Sequence, residues 1–388
     1  MRGIGPMGQA ATDRGEDGTI ERDWNALLLS EYRPRPMLRL PAHRVERAAV
    51  PAIDIHNHLG QNVDAHSELH VVDVGDWRVA DVPALLDLMD ECNVEAIINL
   101  DGDWGEVLEA NLDRYDRAHP GRFATFCRLD WSDCAARGWE TRLAVSLRDS
   151  AARGAAGLKV WKDVGLRVRD ERDELVFCDD PRLDPMWEVA TETHLPVLIH
   201  VADPPAHFQP ISEHNERLEQ LIAHPDWHFY GPGFPTFDEL IERLEHLVAA
   251  HPNITFIGAH VGCWVQDLGW VGAMLDRYPN FNIDIAARIA ELGRQPRAAR
   301  RLLLAHQTRV LFGTDAYPPS KRAFSLYFRF LETDDEYFPH WHSEPPRAGR
   351  WHISGVDLPE DVLGAVYAGN ARRLVPALQA PGRTGGEV

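Results

Sequence analysis

The sequence predicts an α/β fold in which eight parallel strands and their covering helices close into a distorted TIM-type (β/α)8 barrel, with loop insertions and an N-terminal arm. Three observations lead there. From Pro51 onward, short β-branched or aliphatic runs alternate with longer amphipathic stretches, the pattern of βα units. The candidate strands number eight: Ala52 to His58, Val94 to Leu100, Phe123 to Leu129, Gly157 to Trp161, Pro196 to Val201, Thr255 to His260, Phe281 to Ile285 and Val310 to Thr314. Several of these runs end in a group that can bind a metal or move a proton, and the active site of such a barrel lies at the carboxyl ends of its strands.

Between the strands, Val82 to Cys92, Trp139 to Arg153, Asp184 to His194, Phe237 to His251, Leu268 to Tyr278 and Ile289 to His306 read as helices. Long insertions follow strand one (Gly60 to Ala80), strand four (Lys162 to Asp180), strand five (Ala202 to Pro235) and strand eight (Ala316 to Leu358), where they would shape a pocket. Residues 1–50 are expected to form a partly mobile N-terminal extension, 51–378 the barrel and 379–388 a flexible tail.

At 388 residues, 44% of them hydrophobic, the chain can bury one large core. Its formal charge of -20 repels phosphate backbones, and no lysine and arginine cluster offers a local exception, so nucleic acid is excluded as a partner. The five cysteines are scattered and never spaced as CxxC, which argues for reduced thiols in a cytoplasm. Neither a secretory leader nor an apolar run long enough to span a bilayer is present, so no membrane partner is expected.

The chemistry concentrates at the strand ends. His56 and His58 are one residue apart, so a strand can turn both imidazoles to one side. Asp54 either orients an imidazole or is a buried acid held by backbone donors. His200 closes the apolar run Leu195 to Ile199, and Asp315 follows Leu311-Phe312-Gly313-Thr314. Three imidazoles and a carboxylate suit Zn2+, with Mn2+ or Fe2+ as alternatives, and a divalent ion lowers the pKa of a bound water to about 7. His260 is then a proton carrier or a further ligand. Arg288 is placed to grip an anionic substrate or to pair with Asp284 or Glu291.

Together these residues resemble the amidohydrolase superfamily, in particular the amidohydrolase-related branch that includes aminocarboxymuconate-semialdehyde decarboxylase-like enzymes. The resemblance runs from about Pro51 to Leu374 and ends in Asn370-Ala371-Arg372-Arg373-Leu374. It implies a barrel of the metallo-dependent hydrolase type, one metal held by His56, His58, His200 and Asp315, His260 as a catalytic residue with Asp315, and a homodimer. It also implies that Lys159, in Gly157-Leu158-Lys159-Val160-Trp161-Lys162, can be a carboxylated bridge to a second metal; otherwise Lys159 or Lys162 pairs with a substrate carboxylate or a neighbouring acid.

The reading is a metal-dependent hydrolase in which metal-activated water attacks a carbonyl of a small organic substrate. The alternative is a metal-dependent non-oxidative decarboxylase of an aromatic or unsaturated acid, and a lesser one a non-catalytic binding protein on this scaffold. Asp203, Trp161, Trp264 and Tyr317 are further candidates for the mouth of the pocket. His66 and His70 are four apart as in a zincin helix, but Glu68 comes one position late for it; His340 and His342 lack a preceding strand; and Asp101 and Asp103 either face the pocket or, as the preferred reading, form a turn.

Overall fold

A computed structural model describes residues 23–28, 31–32, 34–60, 79–341 and 348–379. The first twenty residues, most of the insertion after strand one with His66 and His70, His342 and the tail from residue 380 lie outside the described residues. The chain divides into two compact units, one ending at Arg39 and one beginning at Leu40. In the first, Trp24–Ala26 forms a 3-10 turn capped by Asp23.

The second unit carries a single eight-stranded parallel sheet whose strands follow one another in chain order. They are β1 (Ala52–Asn57), β2 (Val94–Asn99), β3 (Phe123–Cys127), β4 (Gly157–Val160), β5 (Val197–Ile199), β6 (Phe256–Gly258), β7 (Phe281–Asp284) and β8 (Val310–Leu311). The amide of Ile55 donates to the Phe312 carbonyl at 3.0 Å and that of Asp315 to the His56 carbonyl at 2.8 Å, which brings β8 back against β1. The expected TIM-type barrel is the fold observed.

Its helices start and stop where local chemistry dictates. In α1 (Val82–Cys92) the Asp81 side chain caps the Ala84 amide and Pro83 occupies the first turn. Asn93 ends the helix in the left-handed conformation, and Val82, Leu85, Met89 and Cys92 form the buried stripe. The expected helices over Trp139–Arg153 and Phe237–Ala250 also form, with buried faces of the same spacing. The continuous helix expected from Ile289 to His306 is instead two, Ile289–Leu292 and Pro296–Ala305, because Pro296 has no N–H to continue the first. The insertion after β8 holds a helix that its loop assignment overlooked, Lys321–Glu332, capped by Ser320. No helix among the described residues is long and apolar enough to cross a membrane.

One apolar cluster joins the strands to the surrounding helices. A second joins Ile53, Ile55, Ile98, Leu198, Ile257 and Leu311 to Ala371, Val375 and Leu378 of the C-terminal helical segment, leaving the carboxyl strand ends to polar groups. Strict alternation does not describe β1: its register against β2 shifts after Ala52 and again between Asp54 and Asn57. Asp54 turns towards β8, where it accepts from the Thr314 amide (2.9 Å) and hydroxyl (2.6 Å), from Asn57 Nδ2 (2.8 Å) and from the His56 amide (3.2 Å). It is the acid held by donors, not an imidazole's partner. Burial pushes its pKa up to about 6, with the four donors acting in the opposite direction.

Removing this carboxylate strands four buried donors at the barrel seam. Asp54→Ala is expected to cost about 3 kcal/mol of stability, read as a lower urea midpoint at unchanged slope. A loss under about 1 kcal/mol would mean that the seam is held elsewhere.

Candidate metal centre and substrate cavity

Three strands, β1, β2 and β7, deliver the first pair of imidazoles and the carboxylates that hold them. His56 Nδ1 lies 2.8 Å from Asp284 Oδ2 at the end of β7, and His58 Nδ1 lies 2.8 Å from Asp101 Oδ1 just beyond β2. His260 Nδ1 faces the Ala286 carbonyl at 2.9 Å. The carbonyl, and each carboxylate in its ionised form, can only accept from the ring, so with the acids ionised every Nδ1 carries a hydrogen and every Nε2 is turned inward. All three Nε2 atoms converge on Asp315: His58 at 3.4 Å, His56 at 3.9 Å and His260 at 4.0 Å. His200 stands beside them, its ring 4.4 Å from that of His260, and its buried Nε2 faces Asp203 Oδ1 at 3.6 Å with no closer partner among the described residues.

The backbone is shaped for this convergence. β5, β6 and β8 end before His200, His260 and Thr314, so these residues have left the ladder. His260 and Asp315 adopt φ values of 57° and 56°, a region that non-glycine residues rarely occupy and that clusters at functional sites. Gly313 lets β8 approach: a side-chain carbon there would sit 2.9 Å from His56 Cβ.

The electrostatics follow from burial and from the charges that face each group. Burial, then Lys159, lowers the His56 pKa well below the ordinary value. Burial lowers His200 to about 4, with Asp203 opposing, and holds His260 well down, helped by Arg288. For His58 burial is overcome by Asp101 and Asp315, which push it up to about 9. Asp315 is driven below the usual carboxylate range, its burial outweighed by His58 and His56. Lys159 is fully buried, with Nζ 3.4 Å from His56 Nε2 and 5.2 Å from the Trp161 ring centre. Burial lowers it to about 8, against Asp284 and Asp315.

These groups line a cavity of ≈ 610 Å³. Lys162 also faces it but ion-pairs with Asp203, a second cavity residue. Arg288 makes no ion pair among the described residues: Asp284 is occupied by His56 and by the His260 and Ala286 amides, and Glu291 by Arg217, so neither expected partner is taken. Trp161 and Tyr317 line the cavity, whereas Trp264 packs on Phe237 and Trp270. Of the two readings of Asp101 and Asp103, the preferred turn gives way: Asp101 faces the cavity and holds His58, and Asp103 binds buried Arg128. His340 is buried and hydrogen-bonded to the Gly349 carbonyl. Asp284 was legible as a holder from Asn282-Ile283-Asp284, where alternation turns residues 282 and 284 to the same side. His207 and Arg217, also at the cavity, carried no motif.

The chain matches the amidohydrolase family over residues 53–377. It belongs to that family. Its fold is shared with a 2,6-dihydroxybenzoate decarboxylase from Rhizobium (18% identity, TM-score 0.52, covering 84% of this chain and 99% of the other). It is also shared with a dihydroxybenzoic acid decarboxylase from Polaromonas with bound manganese and the inhibitor 2-nitroresorcinol (16% identity, TM-score 0.52, 85% and 98%). A third structure of the same fold is an amidohydrolase II (15% identity, TM-score 0.53, 84% and 99%). No curated protein matches the chain. The chain is thus an enzyme of the amidohydrolase superfamily, in its amidohydrolase-related branch, and members of that superfamily use a divalent metal.

The residues present fit such an ion. Atoms each about 2.1 Å from one ion lie no more than about 4.2 Å apart, and the three contacts to Asp315 satisfy this. At this centre, among the described residues, the ligand atoms that all lie within 4.8 Å of one another are those of His56, His260 and Asp315; of the four ligands expected, His58 and His200 stand outside that group, and His260 stands inside it. The Nε2 of His200, which has no partner within hydrogen-bond distance among the described residues, is a polar atom that a cation would satisfy.

Ligands bind metal deprotonated, and His58 is the imidazole whose surroundings keep it charged near neutrality. Loading metal-free protein with Zn2+ or Mn2+ is therefore expected to release about one proton per ion at pH 7, with affinity rising about tenfold per pH unit below the raised pKa of His58. Calorimetry in two buffers of different protonation enthalpy counts the proton. A count of zero would show that His58 does not exchange its proton for the ion.

Proposed function

We propose that the protein is a metal-dependent hydrolase acting on a small organic substrate that carries a carboxylate. The observation that carries this reading is the convergence of the His56, His58 and His260 Nε2 atoms on Asp315, with each Nδ1 already committed. We assign His56, His58, His200 and Asp315 as the ligands of one divalent ion, Zn2+ by its fit to imidazole and carboxylate, with Mn2+ as the alternative. When bound, that ion supplies Lewis acidity and an activated water.

The chain's own groups supply the rest. His260, neutral and with Nε2 facing Asp315, takes and returns a proton, and Asp315 Oδ2 shares that task. Lys159, a buried ammonium without an ion pair among the described residues, stabilises negative charge that develops on the substrate oxygen. Arg288, 8% exposed and without a carboxylate partner among the described residues, holds the substrate's own carboxylate. Lys162 is already neutralised by Asp203, so its role is to fix that acid beside His200. Five buried, unpaired cysteines suit a reducing compartment, and we place the enzyme in the cytoplasm.

The second reading is non-oxidative decarboxylation. It is favoured by the dihydroxybenzoate decarboxylases that share the fold, one of them holding manganese. There the substrate carboxylate is itself lost as carbon dioxide, and Asp315 or His260 delivers the proton to carbon.

Turnover of metal-loaded protein on lactones, amides and aromatic acids decides between the two: acid release without carbon dioxide supports hydrolysis, and carbon dioxide release supports the second reading. On the substrate so found, His260→Asn is expected to lower kcat by about 10²- to 10⁴-fold at unchanged metal content. Wild-type turnover by that variant would remove His260 from the mechanism.

A further inference from the structure

The cavity is larger than the chemistry at its floor requires. Its ≈ 610 Å³ is about four times the ~150 Å³ that holds one benzene molecule. The metal centre, Lys159 and Arg288 stand at the strand ends or just beyond them, so they line its inner part. Most of the remaining lining belongs to the insertions after β5, β7 and β8, which in such a barrel rise beyond that floor. The Tyr327 hydroxyl accepts from the Ala287 amide at 2.7 Å and donates to the Thr314 carbonyl at 3.1 Å, which seats the Lys321–Glu332 helix against the rim.

The outer walls are built largely of apolar side chains. Trp227, Ile289, Pro318, Leu326 and Trp341 all line them. Polar side chains beside these are already engaged: Arg217 by Glu291 and by Gln220 Oε1 at 3.1 Å, His340 by the Gly349 carbonyl, and Ser320 by the Ala323 amide that it caps; Arg322 is partnered too. Trp341 keeps 42% of its surface exposed. Water held against such a wall is released when an apolar group replaces it, a gain in proportion to the area covered. A single-ring acid seated at the floor would fill about a quarter of the volume and leave most of this wall wet.

We propose that the substrate is an elongated acid: a carboxylate-bearing head at the metal centre and Arg288, and behind it an apolar body of at least two ring-sized groups that fills the outer cavity. This rests on the head-group reading given above and extends it to the rest of the molecule. The head supplies the charge and the reacting group, and the body supplies the binding area. Contacts to a part of the substrate that does not react are what an enzyme draws on to position the part that does.

The test is calorimetric binding of benzoate, 2-naphthoate and biphenyl-4-carboxylate to the metal-loaded full chain. Biphenyl-4-carboxylate is expected to bind about tenfold or more tighter than benzoate, one molecule per chain. Ala323→Trp, which fills space at the outer wall, is expected to cut that gain to under about threefold while leaving benzoate within about twofold, and Trp341→Ala, which strips the wall, to reduce the gain in the same direction. Unchanged far-UV dichroism confirms that each variant is folded, and Trp341→Ala decides alone if Ala323→Trp is not. The proposal is overturned if wild type binds the two-ring acids no more tightly than benzoate, or if the gain is intact in every folded variant. Arg288→Met and removal of the metal separate the underlying reading: each is expected to weaken all three acids together at a constant ratio. If neither weakens any of them, the head-group reading fails, while the ratio still reports on the apolar body.

Discussion

The site depends on one constraint, the fixing of imidazole rotation by groups behind the ring. An imidazole that rotates freely offers either nitrogen or a carbon to the cavity. Here Asp284 holds His56, Asp101 holds His58 and the Ala286 carbonyl holds His260, each at hydrogen-bond distance. The holders are themselves buried and overdetermined: Asp284 also accepts from the His260 and Ala286 amides, and Asp101 from the Gly60 amide. A carboxylate taken out of water costs several kcal/mol unless its lone pairs are filled. Filling them with the same residues that need orienting couples the two requirements, so Asp284 ties the end of β7 to both β1 and the turn after β6.

Charge is distributed with the same economy. The molecule carries a formal charge of -20, which repels anions at long range. Inside the cavity the balance is different. Lys162 and Arg217 are cancelled by Asp203 and Glu291, which leaves Lys159 and Arg288 uncompensated among the described residues. Screening confines the outer field to about 8–10 Å in salt, whereas buried charges act at full strength over short distances. An anion is thus selected by the pocket it enters and not by the surface it approaches.

Much of this was legible in the sequence because barrel strands are short, apolar and end on polar residues. All eight strands, the helices over Val82–Cys92 and Trp139–Arg153, and the strand ends carrying His56, His58, His200, His260 and Asp315 followed from that contrast. What escaped has a physical reason. Asp101 looks like a turn residue because its partner, His58, is 43 positions away. Asp54 stayed open between orienting an imidazole and being a held acid, because two register shifts in β1 are invisible in a pattern of alternating side chains. His207 carries no motif at all: its position is set by Trp227 and Phe229, which pin it from the far end of a loop.

Those register shifts connect to the backbone strain at the rim. A regular parallel ladder places side chains at fixed spacing on alternate faces, which cannot bring donors from β1, β5, β6 and β8 to one point. The chain leaves the ladder to do so. His260, Val261, Ala287 and Asp315 all take positive φ, between 52° and 62°, at roughly 1–3 kcal/mol each. Against a total stability of about 5–15 kcal/mol, such strain persists only where other bonds enforce it. They do: the Asp315 amide is fastened to the His56 carbonyl, the His260 amide to Asp284, and the Ala287 amide to the Tyr327 hydroxyl at 2.7 Å. The bonds that close the barrel and orient its imidazoles are therefore the same bonds that hold the functional residues in conformations they would not adopt alone.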